Sequence, residues 1–393
     1  MAAAGERPYD VVLFGATGFT GGLTAEYLAE HAPAEVKVGL AGRSMEKLER
    51  VRDGLQRDDG PEIDLLVGDV EDENSMREIA ESTRVVATTV GPYINYGEPL
   101  VAACAKAGTD YTDLTGEPEF ADRMYVNHQD AAVASGARII HACGFDSIPH
   151  DLGARFTVDQ LPDDEPLKVE GFVRAGGTFS GGTYHSAITA FSRVRQYAQV
   201  AKERKGKEKR PSDRRVRGVK GLPHHEGPID SWVVPFPSID PQIVLRSARA
   251  LPEYGPDFSY GHYIAVKRAY QAAGLVGGTA GLFTLAQIPP ARNWLLGRKS
   301  PGEGPTPEQR AKGWFKVRFV GEAAGGKRVV TEVSGGDPGY GETAKMLGES
   351  AICLATDDLP ETAGQVTTAQ AMGEALTERL ENRGIAFSVL EED

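Results

Sequence analysis

Val11-Val12-Leu13-Phe14-Gly15-Ala16-Thr17-Gly18-Phe19-Thr20-Gly21 is the stretch on which the fold turns. Four apolar residues read as a buried strand, and the glycines after them open a helix over Gly22 to His31. A diphosphate bound at such a junction needs backbone N–H donors, the positive end of a helix, and a backbone that can be approached closely. The spacing predicts that Gly15 makes the turn, Gly18 permits the approach and Gly21 lets the helix lie on the strand, with Ala16, Thr17, Phe19 and Thr20 in the same loop. An ordinary strand-to-helix turn with three glycines is the bland alternative. The strand before, the helix after and the place near the chain start favour a dinucleotide site.

Outward from this turn, Val36–Ala41, Ile63–Val67, Val85–Val90, Thr109–Leu114 and Arg138–Ala142 read as strands two to six. Helices are expected at Met45–Gln56, Asn74–Glu81, Glu98–Ala107 and around Gln129–Ala134. The strands are continuous apolar runs, as expected when helices cover both faces of a parallel sheet. Residues 1–150 therefore predict a Rossmann-type, doubly wound α/β domain. At the end of the second strand, where an NAD site places an acid, the chain has Gly42-Arg43-Ser44. The donors of Arg43 and the Ser44 hydroxyl suit a 2′-phosphate and point to NADP(H). Asp69 has two readings, acceptor for the adenine amino group or helix cap. In Thr89-Val90-Gly91-Pro92-Tyr93, Gly91 and Pro92 bring backbone to the expected nicotinamide ribose position, and also make a plain turn.

After Pro149 the rhythm changes. Leu167–Arg174, Trp232–Pro235 and Ile243–Arg246 read as strands, and Phe315–Glu322 with Lys327–Ser334 as a hairpin. A glycine-rich stretch through Gly182 leads into a helix over Tyr184–Ala201, and the cation-dense 202–220 segment reads as a solvated loop or helix extension, with docking of an acidic carrier protein or phosphate-bearing thioester as a further use. Gly274–Leu296 is apolar and broken by Pro289-Pro290; it reads as a buried helix hairpin, with an acyl tunnel wall or a membrane-surface contact as further uses. Lys299–Pro307 reads as a loop, and Glu342–Ala355 and Thr367–Arg379 as helices.

Composition narrows the function classes. A net charge of −13 over 393 residues argues against nucleic-acid partners. Cys104, Cys143 and Cys353 show no metal-ligand spacing, so no metal is expected, and their sparseness suits a reducing compartment. No signal-peptide pattern and no spanning apolar run is present, so a cytoplasmic protein with at most peripheral membrane contact is expected. For hydride chemistry, Tyr93, Asp146, Ser147, His150, Tyr184 and His185 are the candidate donors, with Asp146 and Ser147 equally readable as helix caps ahead of Pro149. Tyr263 and Lys267 carry a Tyr-x-x-x-Lys spacing that would share a helix face, far from the first domain, and read as coincidence.

Gly15–Gly21, Ala41-Gly42-Arg43-Ser44, Thr89–Tyr93, Asp113-Leu114-Thr115-Gly116-Glu117 and Cys143-Gly144-Phe145-Asp146-Ser147-Ile148-Pro149 together resemble the saccharopine dehydrogenase-like oxidoreductases, most of all the mycobacterial trans-acting enoyl reductases. The resemblance implies an NADP-binding domain at 1–150, an inserted α+β substrate domain at 151–339, and a helical segment at 340–393 returning to the first domain. It implies NADP(H) at Gly15, Gly18, Gly21 and Arg43. It also implies reduction of a carbon–carbon double bond in an acyl chain held by another enzyme, such as a polyketide synthase. An imine or amino-acid dehydrogenase and a non-catalytic NADP-binding scaffold are the alternatives.

Overall fold

The computed structural model describes residues 7–55, 60–176, 181–297 and 304–392. In chain order the strands are β1 Tyr9–Phe14, β2 Val38–Gly42, β3 Ile63–Val67, β4 Thr83–Thr88, β5 Asp110–Asp113, β6 Arg138–Ile140, β7 Leu167–Gly176, β8 Arg215–Gly218, β9 His224–Glu226, β10 Ser231–Pro235, β11 Asp257–Val266, β12 Trp314–Ala323, β13 Arg328–Gly335, β14 Gly364–Val366 and β15 Ala386–Glu392.

Seven strands form one parallel sheet in the order β14-β6-β5-β4-β1-β2-β3. β1 is central, with Leu13 opposite Leu40 on one side and Ala87 on the other. Val11 and Leu13 enter one apolar core while Val12 and Phe14 enter a second on the opposite face. Every side chain of the strand interior is therefore buried, which is why its sequence does not alternate. At about 1.5–3 kcal/mol for each fully buried large apolar side chain, this strand anchors both layers.

The second sheet is mixed, in the order β15-β13-β12-β7-β11-β10-β9, with β8 also beside β11. The expected hairpin is present: β12 and β13 pair antiparallel, Val317 opposite Val333. The helix Ile148–Val158 leaves the parallel sheet and lies on this one. A Cβ at Gly153 would stand 2.4 Å from the Phe319 ring, so glycine sets the closeness of that packing.

Several expectations change here. Ile243–Arg246 is not a strand but part of the helix Asp240–Ala250, which buries Ile243, Val244 and Arg246; a short apolar run does not distinguish the two. Tyr263 lies on β11, so Tyr263 and Lys267 share no helix face, and the Tyr263 hydroxyl donates to Glu170. The 202–220 segment is not uniformly solvated: the helix Val194–Lys207 and β8 run through it. Arg204 is buried, stacked over Tyr125 and paired with Asp122 and Glu208. Gly274–Leu296 forms two helices, Ala269–Ala286 and Pro289–Leu296, meeting at 114°, and most of their surface is exposed. The C-terminal segment carries helices, Gly341–Thr356 buried against the parallel sheet, and also β14 and β15, one for each sheet. Of Lys299–Pro307, residues 299–303 lie outside the described residues, as do 177–180 of the glycine-rich stretch.

Candidate functional site

Gly15 takes φ +92° directly after β1, and its N–H is held by the Ala41 carbonyl at 2.8 Å. A Cβ there would meet Thr89 Oγ1 at 2.8 Å, and one at Gly21 would stand 2.0 Å from the Gly15 carbonyl oxygen. Gly18 differs: its Cβ would meet only the Gly15 oxygen, at 3.4 Å. Two glycines thus close the turn on its own chain, and the third leaves the outer face bare. The helix Phe19–His31 starts there with no side-chain cap and no acid in its first turn. An uncapped helix start with a bare backbone is a cradle for phosphate oxygens. Ala16 is buried behind the turn, and Thr17 is exposed on it. Phe19 packs edge-on to Tyr340 at 4.8 Å with the Arg310 guanidinium 5.8 Å from its ring, so a cation of the second half of the chain stands near the turn.

At the end of β2, Arg43 is exposed, and among the described residues no carboxylate pairs with it. Ser44 caps the helix Met45–Gly54, accepting from Lys47 N at 3.4 Å. Asp69 does not cap the next helix; Asp72 does. Asp69 instead accepts from Glu71 N at 3.1 Å through Oδ1.

Past β4, Gly91-Pro92 is a cis peptide. Tyr93 is buried; its hydroxyl donates to Thr88 O at 3.0 Å and accepts from Leu114 N at 3.1 Å, lacing the end of β4 to the end of β5. Burial pushes this phenol well up, with Asp113 adding to the effect. Its hydrogen is committed to the backbone, so the structure makes it a brace. Glu117 clasps the same turn, accepting from Tyr93 N at 3.1 Å, Ile94 N at 2.8 Å and Ser186 Oγ at 3.1 Å. Asp113 Oδ2 lies 2.7 Å from His141 Nδ1.

Asp146 lies in the loop after β6, half-buried, with its carboxyl 3.6 Å from where a Gly116 Cβ would be. Burial pushes its pKa up to about 7, helped by the charges of Asp240 and Asp113. Neither Asp146 nor Ser147 caps the helix that follows: Ser147 stands at the cap position, but its hydroxyl bonds Asp240 Oδ1 at 3.2 Å instead of a backbone amide. His150 is sealed in behind, its Nδ1 3.1 Å from Asp240 Oδ1, and burial holds its ring down at about 4. His262 Nε2 reaches the other Asp240 oxygen at 3.3 Å, and Ser238 donates there too. His150, Asp240 and His262 present ligand atoms within 4.8 Å of one another, an arrangement that no sequence spacing announces. Asp240 and His262 escaped the sequence reading, and Glu117 entered it only within a resemblance motif with no role, because each acts on residues more than twenty positions away. The Tyr184 side chain lies outside the described residues; His185 is half-buried on the helix Gly181–Ser192.

The saccharopine dehydrogenase NADP binding domain matches residues 11–140. A trans-acting enoyl reductase of Mycobacterium ulcerans is 35% identical across 98% of this chain and 99% of its own. One from Mycobacterium bovis BCG is 35% identical across 97% and 98%. The solved apo saccharopine dehydrogenase (L-Glu forming) of Saccharomyces cerevisiae shares the fold, with a TM-score of 0.55 at 12% identity over 98% of this chain and 100% of that one. The bare glycine turn and the unpartnered Arg43 agree with the coenzyme that this domain binds. The chain belongs to the saccharopine dehydrogenase-like, NADP(H)-binding oxidoreductases, among the relatives of the trans-acting enoyl reductases.

Proposed function

We propose that this oxidoreductase reduces a carbon–carbon double bond of an unsaturated acyl thioester held by a separate carrier or synthase. The observation that carries the reading is that likeness to proteins named for this reaction runs through both sheets, not only the coenzyme half. In this reading the amides of residues 15–21 grip the coenzyme diphosphate, Arg43 and Ser44 hold the 2′-phosphate, and Asp69 faces the adenine edge. Gly91 and Pro92 line the ribose beside the nicotinamide. When bound, NADPH supplies a hydride for the β carbon of the substrate. The charge left on the α carbon and thioester oxygen must be met by a proton. Asp146 is the group for this step. With its acidity near 7 it is about half protonated at neutral pH, whereas an ordinary aspartate holds a proton roughly once in a thousand molecules. Tyr93 and His150 position it, Tyr93 by fixing the strand ends and His150 by orienting Asp240 behind it.

Action on a substrate carried by another protein suits the surface at 202–220. Lys202, Lys205, Lys209, Arg210 and Arg215 are exposed there, and acidic carrier proteins are steered by such patches. The test uses NADPH deuterated at the transferable position, with 2-enoyl thioesters on carrier protein and on pantetheine. Deuterium at the β carbon, with faster turnover on the carrier, is the expected result. Tight NADPH binding without oxidation by any unsaturated thioester would sink the reading and leave a coenzyme-binding scaffold.

A further inference from the structure

The helices Ala269–Ala286 and Pro289–Leu296 leave Tyr270, Val276, Phe283, Leu285, Ile288 and Trp294 exposed, Tyr270 by 64% and Trp294 by 57%. These are six of the eighteen large apolar side chains exposed among the described residues, gathered into 25 positions. Large exposed apolar patches are rare on monomeric proteins and mark interaction surfaces. The local sequence is one-sided in charge: from residue 258 to residue 302 the chain has no Asp or Glu, and of its cations Lys267 and Arg268 are exposed and Arg292 is half-buried. This stands out in a protein of net charge −13.

We infer that this bent helix pair is a docking surface for an anionic lipid bilayer, lying in the headgroup region with its apolar side chains in the acyl boundary. Aromatic and aliphatic side chains rimmed by cations match that region, where each Lys or Arg near the surface adds attraction and acidic residues would be repelled. Neither helix alone is long and apolar enough to cross a membrane, and the two meet at 114°. The inner side is already occupied: Ala286 and Leu295 pack with Ile188 of the helix Gly181–Ser192, joined by Phe191 and Leu282. An acyl tunnel would need these outward side chains turned in. The same Gly181–Ser192 helix sends Ser186 to Glu117, the carboxylate that clasps the turn at Tyr93. One helix therefore separates the lipid-facing surface from the coenzyme edge. The inference does not depend on which acyl group is reduced.

Flotation of the full chain with vesicles of phosphatidylglycerol and phosphatidylcholine, or of phosphatidylcholine alone, tests it. The protein is expected to float with the anionic vesicles and to detach as salt rises. Arg292→Glu should lower partition roughly tenfold, since it removes one surface cation and adds a repelled anion. Ile288→Ser with Trp294→Ser should lower it at least about tenfold through lost apolar burial. Both variants should keep NADPH affinity and turnover of a soluble thioester, which separates a failed membrane contact from a failed fold or a failed assignment of the reaction. Absence of flotation, equal partition to both vesicle types, or unchanged partition of both variants overturns the inference. A concentration-dependent dimer that Ile288→Ser/Trp294→Ser abolishes, without vesicle binding, overturns it in favour of a second copy on this face.

Discussion

At Gly21 a Cβ would stand 2.0 Å from the Gly15 carbonyl oxygen, while at Gly274, Gly277, Gly278 and Gly281 nothing lies within 4 Å. The two glycine-rich helices thus use one residue under opposite conditions. At the 15–21 turn the protein crowds its own backbone, and glycine is what allows strand, turn and helix to meet while the outer face at Gly18 stays bare. At these four glycines of the longer helix, no neighbour among the described residues crowds the backbone. Density of internal contact, not glycine content, separates a built cradle from an open face.

The largest expected effect tests whether the crowded edge serves chemistry. Asp146→Asn should lower kcat by about 10²–10⁴-fold with NADPH affinity unchanged. In the parent protein kcat should fall as pH rises through about 7, because the acid must carry its proton to donate it; the variant should lack that limb. A flat profile in the parent would remove Asp146 from the reaction. Next, Gly21→Ala should cost about 3 kcal/mol of stability and, where the chain still folds, roughly 100-fold in NADPH affinity, read by chemical denaturation and calorimetry. Near-parent behaviour would mean the turn is looser than its contacts indicate.

Arg43→Ala is expected to cost about 2 kcal/mol in NADPH binding, roughly 30-fold, and almost nothing in NADH binding. Equal losses for both coenzymes would detach this residue from the 2′-phosphate. The smallest effect has the opposite sign. Gly278→Ala should raise stability by up to about 1 kcal/mol, since alanine is the better helix former and meets no neighbour. Destabilisation there would erase the contrast between the two regions, because it would mean the open face is packed.

The coenzyme half was legible because its signals are local. A buried parallel strand advertises itself as an apolar run, and the 15–21 turn, Arg43 and the loop after β6 each follow a strand end. The second half was less so. Ile243–Arg246 looked like a strand because four residues do not reveal a helical period, and the helix Asp240–Ala250 is seen only once its buried face is known. Arg204 read as solvated because its partners Asp122 and Gln365 come from distant parts of the chain. Tyr93 stood out in the sequence as a candidate donor but not as a brace, since Thr88 and Leu114 meet its hydroxyl only when β4 and β5 lie side by side.

Chain order alone determined the doubly wound sheet, the glycine turn at its start and the NADP(H)-binding class of the domain, because strand burial, helix starts and glycine spacing act over a few residues. Folding decided the rest: that Asp240 gathers His150 and His262 behind Asp146, that Glu117 clasps the turn at Tyr93, and that 269–296 faces outward. Those arrangements depend on desolvation and on contacts between residues 22 to 90 positions apart, quantities that exist only once the sheets have packed.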